Sequence, residues 1–494
     1  MNANSKVDSV SNPITTDHRE PWTRNDYIWI SVVAVFALMG SVFMWAANKP
    51  GRMSNDSSYQ LQQVLGNIPL NDWHPAIMTE TWRLLYTVTG QIGAMALVQI
   101  LLAFLAGTLF SIYLHDLTRR WSVSVLGIGI VFLPYVITFL GVMWKDVQMM
   151  IALFIGVALT LLADRARKFR VPLLIAAFLF LLYGVLVRKN AAFAILPLVV
   201  LLFVVWRNNS RFKPWLTASK KRRLLGPVAA IAIFGIVTLL SSASFTAVAK
   251  PEPAGQLSQV FLDDVIFTMS ADRIRNSEAP EELKSKLINA QKDCESKGII
   301  WDAYWKCYGR GATGKPFEPI AMQTELRNLW IQEVVTNPVN YVAYRTQTFA
   351  RFLFDTGSVY RPSQNIESVP AEYQVNAGKA DSVLTDYVLK FGYKTFPWLF
   401  SAWFWFVASI ATIAVGWRAK YLRVQIVALA SSATLYLVGY FPIVPASDYR
   451  YSYWAAVATS MAITLIVADR FLASKRSFQA GEFAENHVSE IASK

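Results

Sequence analysis

The residues best suited to chemistry stand in short polar stretches, each beside a long apolar run. One stretch reads Met53-Ser54-Asn55-Asp56-Ser57-Ser58-Tyr59, and a later one Asn71-Asp72-Trp73-His74-Pro75. A carboxylate such as Asp56, set against apolar surface, is poorly hydrated. That pushes its pKa toward neutrality and lets it take a proton from a hydroxyl. A helix here puts Tyr59 and Gln63 on nearly the same face as Asp56. Asp56 serves equally well as the cap of a helix beginning at Ser57. Pro75 disfavours helix at His74, so Asp72 and His74 are expected in a turn. A lone His is more often a hydrogen-bonded structural residue than a metal ligand.

Three further clusters supply cations: Trp144-Lys145-Asp146, Arg188-Lys189-Asn190 and Asp448-Tyr449-Arg450-Tyr451. Converging above the same helix ends, these cations make a pocket for a phosphate, to which Arg offers a planar fork of donors. The competing use is pairing inside each cluster, Lys145 with Asp146 and Arg450 with Asp448. The sequence contains no complete Walker loop, HExxH, CxxC pair or serine elbow. ATP-driven transport and metalloprotease chemistry are therefore unsupported, and no metal-ligating motif stands out.

These residues need elements to hold them. Of 494 residues, 54% are hydrophobic and only 16% charged. Apolar runs close to bilayer-spanning length recur at about 28–47, 92–114, 123–142, 147–163, 171–187, 191–206, 226–247, 397–416, 424–443 and 455–469. The expected fold is an all-α polytopic membrane protein of about ten transmembrane helices. Trp29, Trp45, Trp144, Trp206, Trp398 and Trp417 lie near run ends, where amphipathic rings meet the headgroups. The first run lacks a clear cleavage site and is expected to stay as an uncleaved span.

Basic residues fall in every second connector: Arg119 and Arg120, then Arg165 to Arg170, Arg207 to Arg223, Arg418 to Arg423, and Arg470, Lys475 and Arg476. By the positive-inside rule that face, with both termini, is cytoplasmic. This spread of the +14 net charge argues against a nucleic-acid partner. The expected organisation is a cytoplasmic tail 1–27, a transmembrane module 28–247 with a first outer loop 48–91, an extracytoplasmic and mainly helical domain 248–396, C-terminal transmembrane helices 397–469, and a tail 470–494. Cys294 and Cys307, the two cysteines of the chain, both fall in that domain. A disulfide between them would stabilise by about 3 kcal/mol and implies an oxidising compartment; two free thiols are the alternative. Lys145, Arg188, Lys189 and Arg450 stand in short turns on the face that should be poor in Lys and Arg, a costly and usually functional placement.

A first span, then a loop with an early Asp and a later His-Pro, resembles the GT-C superfamily of membrane glycosyltransferases, which use a sugar carried on a polyprenyl phosphate. Arg450-Tyr451 before the last span is similar to an Arg-Tyr pair of bacterial members, and Trp330, Asn337-Pro338, Tyr341 and Arg345 resemble a helix these proteins place before a late span. In the protein mannosyltransferases two acids are adjacent, whereas Asp56 is followed by Ser57. Acceptor type and the use of a divalent cation are therefore left open. The resemblance implies seven conserved spans followed by a variable part, in a bacterial inner membrane. It also implies inverting transfer of a sugar to a hydroxyl of a glycan or lipid acceptor. Asp56 would then be the general base, and Lys145, Arg188, Lys189, Arg450 and Tyr451 would hold the lipid phosphate. Tyr59, Asp72, His74 and Asn190 would face sugar or acceptor. Two rivals stand beside it. A polysaccharide polymerase or ligase usually carries its arginines in large outer loops. A transporter or flippase of lipid-linked glycan expects mid-membrane ionisable residues and broken helices, and the chain shows no internal repeat.

Overall fold

The computed structural model describes residues 21–208, 210, 213–308, 322–356, 359–360, 369–375 and 378–492. Most of the expected N-terminal tail lies outside these residues. The chain is helical, with no strand among the described residues. The first half comprises α1 (Arg24–Asn48), α2 (Asn55–Val64), α3 (Ala76–Thr89), α4 (Ala94–Thr118), α5 (Trp121–Phe132), α6 (Pro134–Ile137), α7 (Lys145–Arg165), α8 (Arg170–Val187), α9 (Ala191–Asn208), α10 (Lys213–Thr217) and α11 (Lys220–Ala249). The second half comprises α12 (Ser258–Thr268), α13 (Ala271–Asn276), α14 (Glu281–Ser296), α15 (Gln323–Leu329), α16 (Pro338–Phe354), α17 (Lys379–Thr385), α18 (Ala402–Gly416), α19 (Arg423–Val438) and α20 (Tyr453–Ala492).

Seven of these segments are long and apolar enough to cross a membrane: α1, α4, α7, α8, α9, α11 and the stretch Tyr449–Lys475 that contains the start of α20. The other three expected spans coincide with shorter apolar helices, α5, α18 and α19. The run 123–142 is interrupted because Pro134 cannot donate to the preceding turn and forces Leu133 out of helical geometry (ψ 136°). α7 is the axis of the bundle, buried along nearly its whole length. At 1.5 Å per residue it is roughly 30 Å long, about the thickness of a bilayer core. α11 is its opposite, with Phe234 its one buried side chain.

Between lipid-facing helices, close backbone approach and internal hydrogen bonds hold packing together. Gly127 of α5 lies so near α4 that a Cβ would stand 2.5 Å from the Ser111 nitrogen. Ser111 Oγ accepts from the Ile128 N–H (2.8 Å), and Ser124 Oγ donates to Ser111 O (3.0 Å) while accepting from Trp29 Nε1 (3.0 Å).

The connector 250–401 has a core of its own, in which Leu262, Val265, Leu283, Leu287, Leu326 and Val334 pack around Cys294 and Cys307. Those cysteines form a disulfide, with Cα atoms 5.0 Å apart. Trp330, Tyr341 and Arg345 belong to this core rather than to an open surface. Trp330 Nε1 donates to Asp264 (2.8 Å), Arg345 pairs with Asp264 (2.7 Å), and its guanidinium lies 5.8 Å from the Tyr341 ring. Part of the connector's contact with the bundle lies at residues 444–447. There Arg345 donates to Val444 O (3.3 Å), the Asp302 N–H to Pro445 O (2.7 Å), and Ser447 Oγ to Asp355 O (2.7 Å).

Candidate functional site

The stretch carrying Asp56 is stitched to the turn carrying Lys145. Arg52 N–H donates to Gly141 O (2.9 Å) and Met143 N–H to Arg52 O (2.9 Å). A Cβ at Gly141 would collide with the Asn48 side chain, so glycine is needed where the two strands of chain touch. Ser57 Oγ donates to Met143 O (2.6 Å) and Trp144 Nε1 to Ser54 Oγ (2.7 Å). The Arg52 side chain, 1% exposed, pairs with Asp381, donates to Asn48 and lies 5.1 Å from the Tyr360 ring. That fixes the loop from below.

Ser54, not Asp56, is the N-cap of α2. Asp56 sits in the first turn with its carboxylate turned to Arg450, whose Nη1 donates to Oδ2 at 2.9 Å. Arg450 is shared: Nε faces Asp448 Oδ2 (3.2 Å), Nη2 reaches the Tyr451 hydroxyl (3.4 Å), and the guanidinium lies 4.7 Å from the Trp144 ring centroid. Asp448 also caps the short turn Tyr449–Ser452, accepting from the Arg450 N–H at 3.1 Å. Asp56 Oδ1 has no hydrogen-bond partner among the described residues, and the side chain is 33% exposed.

Local pairing holds for Arg450 with Asp448 but not for Lys145 with Asp146. Adjacent residues at a helix start point to different faces. Asp146, 1% exposed, turns inward to pair with Arg188. Arg188 donates further to Asn190 Oδ1 (2.8 Å) and the Tyr440 hydroxyl (2.7 Å), and lies 5.2 Å from the Tyr451 ring. It is enclosed and fully engaged, so a ligand phosphate would reach it only by displacing these partners. Lys145 is the contrary case. Its ammonium makes no ion pair or hydrogen bond among the described residues, although Asp56, Asp146, Arg188 and Arg450 are all within electrostatic reach.

The remaining predicted residues divide. His74 is 4% exposed, packs its ring 5.9 Å from Tyr59, and feels the charges of Lys145, Asp56 and Arg450. Tyr59 is half in solvent, and its hydroxyl accepts from Asn71 Nδ2 (2.7 Å). Asp72 is committed elsewhere: its Oδ1 accepts the Ala254 N–H (2.6 Å), and its own N–H donates to Glu252 O (3.1 Å), which docks the start of the connector. Lys189 is exposed and shares none of the Arg188 contacts. Gln63, two turns along α2 from Asp56, is buried against Thr79 of α3.

The electrostatics correct one expectation. Burial works to raise the Asp56 pKa, but Arg450, with His74 and Lys145 behind it, carries the carboxyl well below its usual range instead of toward neutrality. Burial lowers His74 to about 3, with Lys145 adding to it, so the imidazole is neutral at physiological pH. Asp448 moves the other way, to about 6, because burial outweighs the pull of Arg450.

An ionised carboxylate with one open oxygen thus stands beside an unpaired ammonium and a shared guanidinium. The arrangement suits an anionic group on the cations and a hydroxyl on the carboxylate. Among the described residues no group of three or more His, Cys, Asp or Glu is placed to hold a metal ion. Two residues that support the arrangement were not singled out by the motifs: Arg52, which anchors the loop on Asp381, and Tyr440, which accepts from Arg188. Arg52 carried the same signal as Lys145, a cation in a connector of the Lys-poor and Arg-poor set. Tyr440, inside an apolar run, carried none. Compared with protein-family models, curated proteins and solved structures, the chain finds no match.

Proposed function

We propose that the protein is a membrane glycosyltransferase that moves a sugar from a polyprenyl-phosphate donor to a hydroxyl of a cell-surface glycan or lipid, with inversion. The reading includes ten spans in a bacterial inner membrane, both termini in the cytoplasm and the site on the extracytoplasmic face. The carrying observation is the unpaired Lys145 ammonium beside the Asp56–Arg450 pair. A lone cation partly removed from water is costly, and an incoming phosphate removes that cost. The departing lipid phosphate rests on Lys145 and on Arg450, where developing negative charge is stabilised. The polyprenyl tail lies along the bundle surface, and the sugar lies toward Tyr59 and His74. Asp56 presents Oδ1 to the acceptor hydroxyl.

Glycan and lipid mass spectrometry of a strain lacking this protein tests the reading, with complementation by wild type or Asp56→Ala. The expected result is a missing sugar that wild type restores and Asp56→Ala does not, at equal protein level. Identical glycans with and without the wild-type protein would defeat the assignment.

A further inference from the structure

Between Asp164 and Glu252 the chain contains no acidic residue, and within that stretch positions 207–223 hold seven Lys or Arg. Four of them, Lys220, Lys221, Arg222 and Arg223, fill the first turn of α11. A helix start carries partial positive charge, so four cations placed there are opposed by one another and by the helix itself. The turn is nonetheless firmly built. Ser219 caps it, its Oγ accepting from the Arg222 N–H (3.2 Å), and Arg223 Nε donates back to Thr217 O at the end of α10 (2.8 Å). Lys213, Lys220 and Lys221 are exposed, and their ammonium groups make no hydrogen bond or ion pair among the described residues.

The same helix offers uncovered apolar surface directly after these charges. Gly226 is turned to α9, so close that a Cβ would stand 2.6 Å from the Phe203 ring. Residues two positions before and after it lie on the opposite side of a helix. Those residues are Leu224 and Val228, both exposed, with Leu225 exposed beside them. Lys220, Leu224 and Val228 follow one another at four-residue steps, and so do Lys221 and Leu225, so each lysine stands over an open apolar side chain. α11 is long and apolar enough to cross a membrane. Its length of roughly 45 Å, against a bilayer core of about 30 Å, lets the cationic turn stand in the headgroup layer.

We propose that the α10–α11 turn is a binding site for an anionic phospholipid, with the phosphate held by Lys220 and Lys221 and the acyl chains laid on Leu224, Leu225 and Val228. The two halves of the surface select this occupant together. An acidic protein would meet the charges and leave the apolar stripe uncovered. A zwitterionic lipid would cover the stripe, but its own cation would offset its phosphate. A lipid of net negative charge satisfies both, and its attraction to Lys and Arg is strong only within about a Debye length of the bilayer surface, where this turn stands. The site shares no residue with the Asp56–Arg450 pair and does not depend on the glycosyl-transfer reading.

The test offers full-length protein in neutral detergent equal amounts of phosphatidylglycerol and phosphatidylcholine with matched acyl chains, and counts the retained lipids by native mass spectrometry. The expected result is a preference for phosphatidylglycerol of about 10-fold, shrinking as the ammonium acetate concentration is raised. Lys220→Gln/Lys221→Gln should lower that preference by about 3-fold or more. Lys292→Gln/Lys297→Gln, which removes the same charge from the connector, should leave it as in wild type. Leu224→Ser/Val228→Ser, with every cation kept, should reduce the phosphatidylglycerol retained. If the lysine pair does not accumulate, Lys220→Gln and Lys221→Gln taken singly decide by the same comparison. Equal retention of the two lipids by wild type, or a preference that the lysine substitutions leave unchanged, overturns the proposal. Binding of polyglutamate as strong as that of phosphatidylglycerol, and lost with the lysines, also overturns it and makes the turn a surface for an acidic protein.

Discussion

The two ends of the bundle hold similar sets of charges and treat them differently. At the end opposite the site, Asp26 Oδ1 meets His115 Nε2 (2.7 Å) and its Oδ2 accepts from Thr23 (2.8 Å) and Arg119 (3.2 Å). Asp116 accepts from Trp22 Nε1 (2.9 Å) and from Arg165 Nε (2.7 Å). Each carboxylate oxygen there has a partner. At the site end, the Lys145 ammonium and Asp56 Oδ1 have none among the described residues. Charges that only hold helices together can be paired to completion. Charges kept for a ligand must leave something unmet, at a cost in stability.

The largest effect that would sharpen this contrast is on rate. Lys145→Ala should cut transfer about 100-fold, close to 2.7 kcal/mol of transition-state stabilisation, and leave thermal unfolding in detergent unchanged or slightly later. A variant that unfolds early, with normal turnover per folded molecule, would make Lys145 a structural cation and erase the distinction. The mirror experiment comes next in size. Asp26→Ala leaves His115 and Arg119 without their shared acceptor, so it should destabilise by about 2 kcal/mol while transfer by the folded fraction stays as in wild type.

The contrast also explains what the residue pattern disclosed and what it withheld. Helix positions follow from local hydrophobicity, so the run at 147–163 and the helix Lys145–Arg165 agree to within a turn. The break in the run at 123–142 was not anticipated, although Pro134, which causes it, stands inside the run. The gathering of Asp56, Lys145, Arg188 and Arg450 was suggested by their shared connectors, and the structure brings them into one electrostatic group. Partner choice was not legible, because it depends on residues far away in the chain. Asp72 is taken by Ala254, Arg52 by Asp381, and Asp56 by Arg450 across almost the whole length of the protein. The sign of the Asp56 shift was misjudged for the same reason. Its burial was foreseeable from the apolar surroundings, but not the guanidinium that outweighs it.

Pairing alone does not make a buried carboxylate stabilising, and the connector offers a case that is read in the pH dependence of stability rather than in rate. Asp263 is 2% exposed and accepts from the Tyr308 hydroxyl (2.6 Å), yet burial lifts its pKa to about 7, against that hydrogen bond and Arg345. Its folded pKa therefore lies above the unfolded value of 3.8. Between the two, the folded chain holds a proton that the unfolded chain has lost, so this contribution is complete below about pH 4 and fades as pH rises toward 7. The slope in that window is at most about 1.4 kcal/mol per pH unit. Asp263→Asn keeps an acceptor for Tyr308 and removes the titration. Hydrogen exchange across 258–308 should show wild type losing protection from pH 4 to 7 and the variant losing less, with the two crossing so that the variant is the more protected at pH 7. Parallel profiles would mean that water or a rearranged Arg345 neutralises the charge. Asp263 would then resemble the fully met carboxylates at the far end of the bundle.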